Sequence, residues 1–183
     1  MPPPREARPP LEARVAAVRL LIFDVDGVLT DGSILYTDGG EEIKRFHVRD
    51  GSGLKLWRRA GMRVAFLSGR SSPAVARRAA ELGVEIVVQG CDDKRAALAE
   101  ILDATGCTAA EACAVGDDLQ DLPLLEAVGV AVAVADACRE VRDLADRVTM
   151  VAGGHGAARE VVEWLLQAQG RWGALIARDP PPG

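Results

Sequence analysis

Asp24 and Asp26 stand one residue apart where an apolar run, residues 18–23, breaks off into charge and glycine. Two carboxylates that close repel each other unless a cation or a shared proton lies between them. A hard, oxygen-seeking ion such as Mg2+ suits the pair. Asp-x-Asp-Gly alone is equally a solvated turn, so other positions must decide. Ser68 follows a second apolar run, Lys94 stands in C-D-D-K, and Asp117 and Asp118 follow a further run in V-G-D-D. Together these positions offer three or four carboxylates, a hydroxyl and an ammonium, with Arg70 next in S-G-R. Lysine, serine and backbone N–H groups at helix starts suit a phosphate. An aspartate can attack phosphorus and carry it as an aspartyl-phosphate. A second carboxylic acid can protonate the leaving oxygen and later activate water. The set points to phosphoryl transfer through a covalent aspartyl intermediate.

The elements that must position these groups alternate. Buried apolar runs at 18–23, 62–67, 84–89, 112–115 and 130–134 predict strands, with a short sixth at 148–151. Helical patterns lie between them. One opens at R-D-G-S-G (49–53) and closes at Gly61, and one starts at S-S-P (71–73) with serine capping and proline in its first turn. Others run from 91–94 to Gly106, from Leu119 onward, over 139–144 and over 156–169, with a helical turn at 11–17. Strand–helix alternation predicts an α/β fold, a central parallel sheet covered by helices on both faces. All strand ends then point one way, so the aspartates, Ser68 and Lys94 converge on one crevice. Residues 33–37 and 42–48 flank Asp38-Gly39-Gly40 and read as a β-hairpin inserted after the first strand.

The 183 residues suit one domain with a proper core, 11–170, between a proline-rich tail at 1–10, expected disordered, and a tail at 171–183 with no clear structure. Net charge is -5, which argues against nucleic acid or an anionic membrane surface as partner. No run approaches a membrane span, and the start lacks an apolar signal core. Cys91, Cys107, Cys113 and Cys138 form no C-x-x-C pair. Reduced thiols and a cytoplasmic location are therefore expected.

D-V-D-G-V-L-T (24–30), Ser68, Lys94 and G-D-D-L-Q-D (116–121) form an ordered set that resembles the haloacid dehalogenase superfamily of phosphatases. A finer resemblance covers residues 18–170. F-H-V-R-D-G-S-G, V-Q-G-C-D-D-K, V-A-V-A-D-A and A-G-G-H-G-A-A-R-E are similar to the 3-deoxy-D-manno-octulosonate 8-phosphate phosphatases. The resemblance implies a Rossmann-like fold without a cap domain and a hairpin, 33–48, that builds a homotetramer in which a neighbour helps cover each site. It implies a Mg2+-dependent phosphatase acting on an acidic sugar phosphate in lipopolysaccharide precursor synthesis.

By the same resemblance Asp24 is the nucleophile and a metal ligand. Asp26 is the general acid/base, with its backbone carbonyl on the metal, and Asp117 is the third protein ligand. Ser68 and Lys94 hold the transferring group. Substrate contacts fall on Asp26, His47, Val48, Arg49, Asp50, Gly51, Lys55, Arg70, Arg78 and Lys94. For Lys55 and Arg78 a solvated helix face is the alternative reading. Asp118 and Asp121 are outer carboxylates or helix caps, and His155 stands where arginine is also common. Two other readings stay open: a phosphatase for another nonulosonate phosphate, such as 2-keto-3-deoxy-nononate 9-phosphate, and a non-catalytic tetramerisation module.

Overall fold

Short runs rich in Val, Ile, Leu and Ala, apolar on both faces, can satisfy their backbone only inside a covered sheet. The computed structural model describes residues 8–177 and orders them in that way. In chain order come α1 (Leu11–Ala17), β1 (Leu20–Phe23), β2 (Leu35–Tyr36), β3 (Glu42–Ile43), α2 (Val48–Arg59), β4 (Arg63–Leu67), α3 (Pro73–Leu82) and β5 (Ile86–Val88). Then follow α4 (Lys94–Thr105), β6 (Ala112–Gly116), α5 (Leu122–Ala127), β7 (Val130–Ala133), α6 (Arg139–Leu144), β8 (Arg147–Val148), α7 (Ala157–Ala168) and α8 (Trp172–Ile176).

Six strands form a parallel sheet in the order β5-β4-β1-β6-β7-β8. The chain leaves β1 toward β4 and β5, then returns to β6 on the other side. The order reverses between β1 and β6, and in open α/β sheets ligands bind outside the carboxyl ends at that reversal. One layer packs α2 along α7 with α1 and α3 beside them, and α4, α5 and α6 form the other. Leu20, Leu21, Ile22 and Phe23 of β1 are wholly buried between the layers. Gln169 donates to Val15 O and Val18 O, which ties the end of α7 to the chain entering β1.

Several expected boundaries move. The sixth strand is β8, Arg147–Val148, rather than 148–151. Thr149 N still donates to Ala133 O, but the N–H groups of Met150 and Val151 go to the Glu160 carboxylate, and regular pairing stops. β1 starts two residues late and β5 is trimmed at both ends. A 3-10 turn, Leu119–Asp121, precedes α5 where one helix was expected. The hairpin pairs only Leu35 with Ile43 and Tyr36 with Glu42, so its strands are two residues each, and Val48 already belongs to α2. Ser72 takes the N-cap position of α3, but its hydroxyl makes no cap bond.

The tail expected to lack structure contains α8. Trp172 and Leu175 pack against the core, and the Arg159 guanidinium stacks 5.3 Å from the Trp172 ring centroid. Of the expected N-terminal tail, residues 1–7 lie outside the described residues. Arg8 is anchored, donating to Glu126 O and Val128 O. The end of the chain beyond residue 177 is likewise outside. Among the described residues no helix is long and apolar enough to cross a membrane.

Candidate active site

The crevice is built from the loops that leave adjacent strands. β1 ends at Phe23, so Asp24 lies at its carboxyl end, its N–H donating to Val115 O of β6 at 3.0 Å. The following turn closes on Val25 O, which accepts from Leu29 N and Thr30 N. Gly27 in that turn has φ +99°, and a Cβ there would sit 2.1 Å from Asp117 Oδ2. Glycine is required twice, by the backbone conformation and by the carboxylate pressed against it. Asp117 follows β6, Ser68 follows β4, and Asp93 caps α4 so that Lys94, its first residue, points inward.

Lys94 is 3% exposed, which removes the solvated reading of this lysine. Its ammonium bridges Asp24 Oδ1 at 2.6 Å and Asp121 Oδ1 at 2.5 Å. Asp121 also accepts from Asp117 N and Asp118 N through Oδ2, so both of its oxygens are engaged. Asp118 caps the 3-10 turn by accepting from Leu119 N. Asp121 thus sets the loop that carries Asp117, a role its spacing of four from Asp117 hinted at without separating it from a plain cap.

Asp24, Asp117 and Asp121 each offer a carboxylate oxygen within 4.8 Å of the others. With all three carboxylates ionised, the one ammonium of Lys94 leaves two negative charges uncompensated, and the metal-free group resists that ionisation. Burial pushes the Asp24 carboxyl up to about 7, with Asp121 adding to the rise and Lys94 opposing it. Burial, then Asp24, Asp121 and Asp118, push Asp117 up to about 8. Burial works against the charged form of Lys94, but Asp24 and Asp121 outweigh it and hold its pKa above the ordinary value. Asp24 Oδ2 and Asp117 Oδ1 are buried with no hydrogen-bond partner. Two orphaned carboxylate oxygens with a deficit of two positive charges fit a divalent, oxygen-liganded cation.

Asp26 turns the other way. Its carboxylate pairs with Lys44, lies 3.5 Å from the Ser68 hydroxyl and 4.0 Å from Arg70 Nε. Ser68, buried, accepts from Arg70 N at 3.1 Å. Arg70 donates to Glu42 Oε1 at 2.8 Å, and Lys44 Nζ lies 3.5 Å from the same carboxylate. Strand β3 and the residue after it therefore bring Glu42 and Lys44 to the rim, and the Lys44 side chain is 2% exposed. Sequence reasoning missed both. The signal available was alternation, which puts residues 42, 44 and 46 on one face of the strand.

The structure brings together Asp24, Asp26, Ser68, Lys94, Asp117 and Arg70. The other expected substrate residues are not bonded into this group. Among the described residues no hydrogen bond or ion pair joins His47, Val48, Arg49, Asp50, Gly51, Lys55 or Arg78 to those six. Lys55 lies on the outer surface of α2 with Arg58, Arg59 and Glu81. Arg78 stacks 5.9 Å from the Phe46 ring centroid and donates to Glu81. Val48 and Arg49 are exposed, whereas Asp50 is 3% exposed.

A family model described as haloacid dehalogenase-like hydrolase matches residues 84–161. The 3-deoxy-D-manno-octulosonate 8-phosphate phosphatase of Haemophilus influenzae is 44% identical over 161 residues, 88% of this chain and 89% of that protein. Its namesake from Escherichia coli K12 is 45% identical over 159 residues, 87% and 85% of the two chains. Among solved structures, the Moraxella catarrhalis enzyme of that name, in complex with magnesium ion, phosphate ion and KDO, superposes with a TM-score of 0.88 at 39% identity. That match covers 91% of this chain and 95% of the other. The cobalt-bound form of the Haemophilus influenzae enzyme gives 0.86 at 43% identity, covering 90% and 96%.

Proposed function

This chain belongs to the haloacid dehalogenase-like hydrolases, among the 3-deoxy-D-manno-octulosonate 8-phosphate phosphatases, and from that premise we propose that it hydrolyses this sugar phosphate with Mg2+. The products are 3-deoxy-D-manno-octulosonate and phosphate, and the reaction serves lipopolysaccharide precursor synthesis in the cytoplasm. The observation that carries the reading is the cluster of Asp24, Asp117 and Asp121, in which Asp24 Oδ2 and Asp117 Oδ1 have no hydrogen-bond partner and are left to a cation.

Asp24 and Asp117, with the backbone carbonyl of Asp26, would hold the ion. When bound it supplies Lewis-acid stabilisation of the phosphoryl oxygens and cancels the repulsion between carboxylates. An Asp24 oxygen attacks phosphorus and the bond to the sugar oxygen breaks. Protonated Asp26 gives its proton to that oxygen. Its carboxylate then takes a proton from water, whose oxygen attacks the aspartyl-phosphate, releasing phosphate and restoring Asp24. Lys94 and the Ser68 hydroxyl hold the transferring group, and Lys94 also keeps Asp24 oriented. Arg70, part exposed and held by Glu42 in the free protein, meets the carboxylate of the sugar acid.

Four copies complete the enzyme. Ile34, Leu35, Ile43 and Val48 are exposed large apolar side chains on the hairpin and the start of α2, an area that favours a partner over water. In that tetramer Arg49 and Lys55, exposed along α2, meet substrate at a neighbour's site.

A panel of phosphomonoesters tests the reading. Purified protein with Mg2+ should release phosphate from 3-deoxy-D-manno-octulosonate 8-phosphate with the highest kcat/KM and lose activity in EDTA. A higher kcat/KM for 2-keto-3-deoxy-nononate 9-phosphate would move the assignment to that substrate. No turnover of any ester, aryl phosphates included, would leave only an assembly module.

A further inference from the structure

Asp50 stands in the R-D-G-S-G stretch, in the first turn of α2. An acid there is ordinarily solvated, since the helix dipole favours it at the surface. This one is 3% exposed. Its Oδ1 accepts from the backbone N–H of Arg159 at 2.8 Å, and the N–H groups of Gly156 and Ala158 also lie within its reach. Those are the first amides of α7, which have no partners inside their own helix. Gly156, the residue before α7, has no side chain to cap with, so the cap is supplied by another helix 109 residues away in sequence.

Gly53, one turn along α2, serves the same contact. A Cβ there would lie 3.1 Å from Arg159 Cα, so the missing side chain lets α7 close down on α2. The cavity that borders Asp50, between Leu29, Phe46, His47 and Leu54, is about 10 Å3. That is at the limit for one water and leaves no room for a sugar.

What α7 carries in front of it is the turn Ala152–His155. This turn is fastened to the catalytic loop by backbone. Gly154 N donates to Val28 O at 2.9 Å, and Gly153 presses so closely on Gly27 O that a Cβ would fall 1.6 Å from it. The chain of contacts runs from Asp50 to the first amides of α7, through the glycine turn, to the loop that presents Asp24 and Asp26. We propose that Asp50 is a positioning residue for the reaction, an interhelix cap that holds the catalytic loop in place, and not a contact to substrate. The reaction itself rests on the preceding functional reading; the positioning role is tested with a substrate that has no sugar.

The experiment compares Asp50→Ala, Asp50→Asn and Gly53→Ala in the full chain with Mg2+, on the sugar phosphate and on 4-nitrophenyl phosphate. Asp50→Ala should lower kcat about tenfold or more on both esters, with KM little changed. Asp50→Asn, whose Oδ1 still accepts from Arg159 N, should recover most of that loss. Gly53→Ala, which pushes α7 away without touching any ligand, should reproduce the Asp50→Ala pattern. Amide exchange at Gly154 and Ala157–Arg159 should quicken in Asp50→Ala and Gly53→Ala and not in Asp50→Asn. If Asp50→Ala does not fold, Gly53→Ala and the exchange data carry the test. A loss confined to the sugar phosphate and expressed in KM, with 4-nitrophenyl phosphate and amide exchange unchanged, would overturn the proposal. Failure of the wild-type protein to hydrolyse the sugar phosphate would count against the functional reading alone, because the aryl phosphate arm does not depend on it.

Discussion

Asp24 has one oxygen held by Lys94 and one with no partner, which suits a group that must attack phosphorus and help hold a cation. Asp24→Asn keeps the shape and removes the nucleophile. Turnover with Mg2+ should fall by about three orders of magnitude or more while far-UV dichroism stays unchanged; retention of more than a few per cent of the rate would exclude the covalent route. Gly27→Ala attacks the same centre sterically, driving a methyl into Asp117 Oδ2 from a backbone that disfavours alanine. Its Mg2+ affinity, read by calorimetry, should drop at least tenfold; unchanged affinity would separate Asp117 from the metal. At this scale the sequence was legible where a polar residue ends a strand. Asp24, Ser68 and Asp117 had to converge once the sheet was parallel. It was illegible where a long side chain chooses among distant partners. Alternation in E-E-I-K-R puts Lys44 on the face of Glu42 without naming Asp26 as its partner, and nothing in R-D-G-S-G tells that the partners of Asp50 lie on α7.

Among the elements, the hairpin does two things at once. Leu35 and Ile43, cross-strand partners, share the outward face, while Tyr36, paired with Glu42, lies with Glu42, Lys44 and Arg70 on the crevice side. The two can be separated. Replacing Ile34, Leu35 and Ile43 by serine should reduce the proposed tetramer to monomers or dimers by light scattering, with Lys44 still in place. Lys44→Met should leave the assembly intact and lower kcat, because the Asp26 carboxylate loses its cation in a largely buried setting. A tetramer that survives the triple change would deny the hairpin its organising role. The two-residue ladder explains why the alternating pattern overestimated these strands. An isolated hairpin gains little from extending its pairing, and Lys44 gains more by leaving it. β8 failed differently. V-T-M-V has strand composition, yet one carboxylate, Glu160, captured the amides a strand would have used.

For the molecule as a whole, the buried carboxylates make stability depend on pH and metal together. Asp24 and Asp117 are held at about 7 and about 8, above the ordinary value of 3.8 that they regain on unfolding. Raised carboxylates contribute stability that is fully present below that ordinary value and is lost as pH rises through their folded values. Metal-free protein should therefore melt at progressively lower temperature from pH 5 to pH 8.5. Mg2+ binds the deprotonated form, so its stabilising effect should grow over the same interval and be small at pH 5. Thermal scans with and without EDTA decide this; a metal-free melting temperature that rises with pH would mean the carboxylates are not buried together. α8 has a consequence for engineering. It is a five-residue helix with a glycine as its second residue, where an added Cβ meets nothing within 4 Å. Most other glycines with that much room sit at positive φ, where alanine would be strained. Gly173→Ala is thus a substitution that can tighten the fold by cutting the freedom of the unfolded chain, worth about 0.5–1 kcal/mol. It should slow amide exchange in Trp172–Ile176 roughly two- to fivefold. Its added methyl meets no other atom of the described fold, so it offers a way to lengthen shelf life without touching turnover.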